Sequence, residues 1–135
     1  MTPAQTEIVQ STWKHVVPIA DTAADLFYDR LFAIDPTTRP LFKAETLPEQ
    51  KRKLMTMLST VVTGLARPDQ IIPAAEALAR RHVGYGVTSA QYDSVGAALL
   101  WTLERGLGPA WTTEAQDAWT AAYTLLAGVM RKAVA

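Results

Sequence analysis

The chain has no cysteine, which excludes disulfides, thiolate-held metals and cysteine nucleophiles. Neither charge is in surplus. Thirteen basic residues balance 13 acidic ones, so general affinity for nucleic acid or an anionic membrane is not expected. No apolar run approaches the roughly 18–20 residues that cross a bilayer. Residues 1–7 carry neither the basic stretch nor the apolar core of a secretory leader, and the expected compartment is cytoplasmic. No segment alternates with period two for long enough to make a strand, and there is no repeat, low-complexity tract or linker. Histidine is scarce as well: His15 and His82 alone.

What is present is helical. Hydrophobic residues make up 49% and charged residues 19%, the balance of an ordinary globular protein, and 135 residues suffice for one core. Residues 1–135 therefore read as one all-α domain. Thr2-Pro3-Ala4-Gln5 has the cap, first-turn proline and reaching glutamine of a helix start, with Val9, Trp13 and Val16 on the buried side to about Val17. Pro18 separates a second helix, about Ile19 to Ile34, in which Ala20, Ala24, Phe27, Tyr28, Leu31 and Phe32 recur at helical spacing. Asp35-Pro36 opens a short helical turn leading to Phe42. Thr46-Leu47-Pro48-Glu49 repeats the capping-box pattern and begins an amphipathic helix to about Leu65, with Leu54, Leu58, Val61 and Val62 on one face. Gln50 stands one turn before Leu54 on that face.

Asp69 to about Val83 forms the next helix, expected to be irregular around Pro73, with Ala75, Leu78, Ala79 and His82 in line. Gly84 and Gly86 stop it. Thr88 to Gln91 caps a helix bearing Tyr92, Val95, Gly96, Leu99 and Leu103, and Gly106-Leu107-Gly108-Pro109 breaks it. Thr112 or Thr113 starts the last helix.

Helical bundles serve many purposes, so function must come from particular residues. A histidine on an apolar helix face is commonly a packed core residue, and His82 alone carries that reading beside the reading as a metal ligand. Two histidines without cysteine or a Glu-x-x-His pair do not build a structural zinc site or a di-iron cage. One histidine suffices for a haem, because the porphyrin supplies four of the iron ligands.

The run Ala77-Leu78-Ala79-Arg80-Arg81-His82, followed by Gly86-Val87, Tyr92, Val95-Gly96 and Leu99-Leu100, resembles the proximal half of a globin. Leu107-Gly108-Pro109-Ala110-Trp111 and Ala118-Trp119 continue the match. Upstream, Leu26 to Phe32, Pro36 to Phe42 and Arg52-Lys53-Leu54-Met55 extend it over nearly the whole chain. The pattern is similar to bacterial single-domain globins, to the globin domain of flavohaemoglobins and, among animal proteins, to neuroglobin. The resemblance implies a 3-on-3 helical sandwich around one haem b (iron protoporphyrin IX), with His82 as proximal ligand. It gives Phe42 the place of the phenylalanine stacked on the haem, and Leu54 that of the apolar residue crowding the gas ligand. Tyr28 and Gln50 match a distal tyrosine–glutamine pair. Leu78, Val87, Tyr92 and Val95 fall in the haem pocket, Tyr92 behind His82, while Lys53 and Arg81, like Lys51, would pair the propionates or stand as solvated cations. The flavohaemoglobin glutamate that accompanies this tyrosine would fall near Val134, where the chain has no acid. Without that carboxylate a strong peroxidase role is not expected.

Dioxygen on ferrous haem carries partial negative charge on its outer atom, and tyrosine and glutamine can both donate to it. At about 1.5–3 kcal/mol for a hydrogen bond to a charged acceptor, two donors would slow oxygen loss by about two to four orders of magnitude. The first reading is therefore reversible, high-affinity binding of O2, with CO and NO as further gases. The alternative is nitric oxide dioxygenase, which would need a separate reductase, since no fused reductase and no Gly-x-Gly-x-x-Gly fingerprint is seen. Gas sensing ranks last for want of an output module. No catalytic residue is assigned; the expected partners are these gases and a reductase, without nucleic acid or membrane, and the assembly is a monomer or weak homodimer.

Overall fold

The computed structural model describes residues 2–84 and 88–133, apart from the side chains of 68, 70, 81–84, 89 and 133. Six α-helices account for most of the described residues, and no strand occurs among them: α1 (Pro3–Val16), α2 (Ala20–Ile34), α3 (Leu47–Gly64), α4 (Pro68–Gly84), α5 (Ser89–Leu107) and α6 (Thr113–Ala133). Short 3-10 turns occupy Val17–Ile19, Pro36–Leu41 and Gly108–Ala110. Helix α2 packs most extensively on α5, α1 and α4 pack on α6, and α3 leans on α2 and α4.

Local chemistry explains most of the boundaries. The Thr2 hydroxyl accepts from the Gln5 amide at 3.1 Å, while Gln5 Oε1 accepts from the Thr2 amide at 2.9 Å, so both orphan donors are satisfied. Asp35 caps the turn before α3 by accepting from the Thr37 amide at 3.1 Å. Thr112, not Thr113, caps α6, accepting from the Ala115 amide at 3.1 Å. At Gly108 the backbone reaches φ +53°, a region that favours glycine, and α5 stops there.

Two expectations are corrected. The capping box at Thr46 does not form: Thr46 is already helical at φ −101°, ψ −6°, and its hydroxyl donates to the Lys43 carbonyl at 3.3 Å. Pro48, at the second helical position, also has no amide hydrogen to offer it. Helix α4 runs through Pro73 without a break. The amide that Pro73 lacks would have reached Asp69, in the first turn, so the loss is confined to one end.

Two tryptophans tie the ends of the bundle together. Trp119 Nε1 donates to Thr12 Oγ1 at 2.9 Å, joining α6 to α1, and Trp13 Nε1 donates to Ser59 Oγ at 3.1 Å, joining α1 to α3. The Thr12 hydroxyl in turn donates to the Ile8 carbonyl at 2.7 Å, so this buried polar chain is satisfied throughout. Between α5 and α6 the approach is closer still. A Cβ at Gly96 would lie 2.6 Å from Tyr123 Cε2.

Gly96→Ala is therefore expected to lower the free energy of unfolding by about 1–3 kcal/mol through overpacking. Gly128→Ala, in α6 with open space around it, should raise stability by roughly 0.5–1 kcal/mol. Urea unfolding followed by far-ultraviolet circular dichroism reads both, and equal effects would remove the close-packing role assigned to Gly96.

Candidate functional site

The helices surround an apolar cavity that opens to solvent at its mouth. Phe27 and Leu31 of α2 and Leu41 and Phe42 of the 3-10 turn form one end. Leu54, Met57, Leu58 and Val61 of α3 face Leu78 of α4, with Tyr92, Val95 and Leu99 of α5 and Tyr123, Leu126 and Met130 of α6 closing the rest. The wall is almost wholly apolar. Among its polar members, Thr38, Gln91 and Tyr123 engage their own neighbours: Thr38 Oγ1 donates to the Asp35 carbonyl at 2.7 Å, and the Tyr123 hydroxyl donates to the Tyr92 carbonyl.

Of the residues singled out in the sequence, Phe42, Leu54, Leu78, Tyr92 and Val95 meet on this wall. Tyr28 lies behind it, buried in an aromatic cluster with Phe27, Phe32 and Phe42 at ring-centroid distances of 5.1, 5.9 and 5.2 Å. Burial pushes its phenol up to about 12, so it is a neutral donor at pH 7. Gln50 is half-buried in the first turns of α3, one turn before Leu54. Next to it Lys51 pairs with Asp25 of α2 at 2.8 Å, and Lys53 is exposed and pairs with Glu49 at 3.6 Å. His82 and Arg81 belong to α4, but their side chains lie outside the described residues, as Val87 does altogether. Val134 lies outside them too. Arg131 of α6 sits with its guanidinium 5.5 Å from the Tyr92 ring centroid and pairs with Asp93 at 2.8 Å. Among the described residues no group of three histidine, cysteine or acidic side chains is placed to hold a metal ion.

One part of the site was invisible in the sequence. Gln91, read there only as a capping residue, lines the cavity and is buried. Its Oε1 accepts from the Thr88 amide at 2.9 Å, and its Nε2 donates to Thr37 Oγ1 at 3.2 Å. Thr37 donates from its hydroxyl to Asp35, whose other oxygen accepts from Ser94 at 2.6 Å. This chain of bonds fastens the turn that carries Phe42 to the start of α5. Arg39 Nη1 adds a bond to the Phe42 carbonyl at 3.1 Å. No local signal reveals such contacts, because Ser94 and Asp35 are 59 residues apart.

Comparison with known proteins identifies the architecture. A family model described as Globin matches residues 25–130. The chain belongs to the globin family. Flavohemoproteins of Bordetella parapertussis and Bordetella bronchiseptica are each 33% identical to this globin over 106 residues, 77% of the chain. That match covers 26% of those proteins, so the chain spans about a quarter of their length. Ferric Aplysia limacina myoglobin with azide superposes with a TM-score of 0.86 at 22% identity, covering 100% of this chain and 99% of that one. A bacterial globin from Campylobacter jejuni superposes at 0.77 with 24% identity over 97% of both chains. An engineered carbene transferase, whose Rhodothermus marinus parent is named for nitric oxide dioxygenase, does so at 0.87 with 23% identity, covering 98% and 92%.

As a globin, the protein has a haem-binding, gas-binding fold. The cavity fits that group: an iron porphyrin is a flat, largely apolar macrocycle with its charges on one edge, and the wall is apolar on every contributing helix. No helix among the described residues is long and apolar enough to cross a membrane.

Two pH dependences follow from this geometry. The hydrogen bond from Ser94, followed by that from Thr37, holds the Asp35 carboxyl below its ordinary range. A depressed folded value means the stabilisation is complete above about pH 4 and is lost as pH falls through the folded value. Asp35→Asn should flatten melting temperature against pH on the acid side. Tyr28 has the opposite sign: its stabilisation is present below about pH 10 and lost as pH rises toward about 12. Tyr28→Phe should flatten the alkaline limb. Unchanged acid and alkaline limbs in the two variants would remove these assignments.

Proposed function

We propose that this globin holds one haem b through His82 and binds dioxygen reversibly, with carbon monoxide and nitric oxide as further ligands. The observation that carries this reading is the large apolar cavity on whose wall Phe42, Leu54, Leu78, Tyr92 and Val95 meet. His82 follows the lining residue Leu78 by one turn of α4, and that spacing supports its assignment as the ligand. His15, by contrast, is exposed on α1. The iron porphyrin, when bound, supplies an open coordination position for a diatomic gas. The chain supplies what surrounds that position. Leu54 and Phe42 keep it dry, and Lys53 and Arg81 are the candidate cations for the propionates. Tyr28 and Gln50 are the proposed donors to a polarised gas. A neutral phenol backing Phe42 supports the first, and the place of Gln50 one turn before Leu54 supports the second.

A second reading, nitric oxide dioxygenase, is favoured by the similarity to flavohemoproteins and by the name of the Rhodothermus marinus parent. In that reading the electrons come from a reductase outside the residues of this chain.

His82→Ala is expected to abolish the Soret band of purified protein, whereas His15→Ala should leave it intact; the reverse result would overturn the ligand assignment. Tyr28→Phe should raise the dioxygen dissociation rate by about one to two orders of magnitude, equivalent to roughly 1.5–3 kcal/mol, and change carbon monoxide dissociation much less. Stopped-flow displacement measures both, and an unchanged dioxygen rate in Tyr28→Phe and Gln50→Leu would remove the distal pair. Mixing the oxygenated protein with nitric oxide, with and without an added reductase, then separates the two readings: nitrate formed over many turnovers with the reductase supports the dioxygenase, and no more than a single stoichiometric turnover leaves reversible binding.

A further inference from the structure

The main cavity has a neighbour. A second, smaller cavity of about 40 Å³ lies between α3, α4 and α6, and among the described residues every side chain on its wall is apolar. Val61, Leu65, Ala122 and Leu126 line both cavities, so these four side chains are the partition between them. On the solvent side the wall is made by Ile72 and Leu125, which are 41% and 43% exposed. Ile71 adds a further wall, held so close to α3 that a Cβ at Gly64 would lie 2.9 Å from Ile71 Cγ1. The small cavity thus reaches from the surface to the wall of the main one.

Its chemistry limits what can occupy it. Water needs about two to four polar partners, and this wall offers no polar side chain. An ion would lose its hydration with nothing in return. The volume exceeds the roughly 10–15 Å³ that one water-sized molecule needs, yet it cannot take a ring-sized cofactor. What fits is a small, uncharged molecule that requires no hydrogen bond, and apolar cavities of this kind stay dry and take up such solutes. Position points the same way. Val61 and Leu65 follow Leu54 by two and three turns on the α3 stripe that lines the main cavity, roughly 10–17 Å along the helix. Val61 and Leu126 are half-buried, and rotation of either side chain opens the partition wide enough for a diatomic molecule.

We propose that the second cavity is a docking site for an uncharged diatomic gas and a side route between solvent and the main cavity, entered between Ile72 and Leu125. The proposal rests on the reading in which this globin binds such a gas. A route alters the barrier and not the two end states, so it scales association and dissociation by one factor and leaves affinity unchanged. Tyr28 and Gln50, as proposed donors to the bound gas, act instead on dissociation and therefore on affinity.

The test is laser photolysis of the haem-loaded carbon monoxide complex, with ligand displacement for the dissociation rate. Ala75→Leu fills the second cavity from a position that does not line the main one, and Leu125→Trp covers its mouth from an exposed position. Each should slow carbon monoxide association and dissociation together, by about three- to tenfold, at an unchanged ratio. Leu125→Trp keeps the test decisive should the filled cavity unfold the chain. Val17→Trp, at an exposed residue that lines neither cavity, should match the wild type. Xenon under pressure should compete for the second cavity, raising the share of carbon monoxide that recombines before escaping, and Ala75→Leu should lose that response. Wild-type rates in the folded variants would overturn the proposal, as would a change confined to dissociation or an undiminished xenon response in Ala75→Leu. Failure of the underlying reading has a different signature and overturns both: the dithionite-treated protein would then show no carbon monoxide spectrum.

Discussion

An apolar cavity walled by side chains from every α-helix is a severe constraint on a chain of 135 residues. Protein interiors are otherwise close-packed, with few voids larger than a water molecule, because every atom facing empty space forfeits its dispersion contacts. The remaining packing must therefore hold the walls apart as well as together. The tryptophan bonds do this at one end, fixing α1 against α3 and α6 through Ser59 and Thr12. The hydrogen-bond chain from Thr88 to Ser94 does it at the other, fastening the Phe42 turn to α5. A group that fills the space restores the missing contacts and stabilises the fold by mass action, which couples retention of the occupant to stability of the protein.

The polar groups around the cavity are graded by what they already bond. Gln91, Thr38 and Tyr123 are committed to the scaffold, so they shape the wall without presenting free donors. Tyr28 differs: its hydroxyl has no hydrogen-bond partner among the described residues, and burial keeps it protonated. A neutral phenol can donate to a polarised gas, which is the chemical basis of the proposed distal role, although Tyr28 stands behind the wall and not on it. The opposite side of the chamber carries a different electrostatic arrangement. Where the flavohaemoglobin pattern implies a carboxylate near Tyr92, this chain sets the Arg131 guanidinium over the ring and neutralises it with the exposed Asp93.

Much of the fold was legible in one dimension. Apolar residues at helical spacing, proline at first-turn positions and Gly108 after α5 marked the helices to within a residue or two, because those signals act between near neighbours. The misreadings at Thr46 and Pro73 arose where a local motif met a second local fact, the missing amide of a proline or its distance from a helix end. The ordered pattern of Pro36 to Phe42, the helix bearing Leu54 and the run ending at His82 named the family, and Phe42, Leu54, Leu78, Tyr92 and Val95 were placed from it. Periodicity alone would have left each of them a core residue.

The sequence by itself determined the number and polarity of the helices, the family, and the identity of the one histidine on an apolar helix face. Tertiary structure alone decided which of those apolar faces leave a space between them, that Gln91 lines it, and that Ser94 and Asp35 close the chain of bonds at its edge. The physical reason is range. Helix signals are exchanged over three or four residues, whereas these bonds join positions separated by 54 and 59 residues in the turn after α2 and in α5, and no pattern in either segment encodes the other.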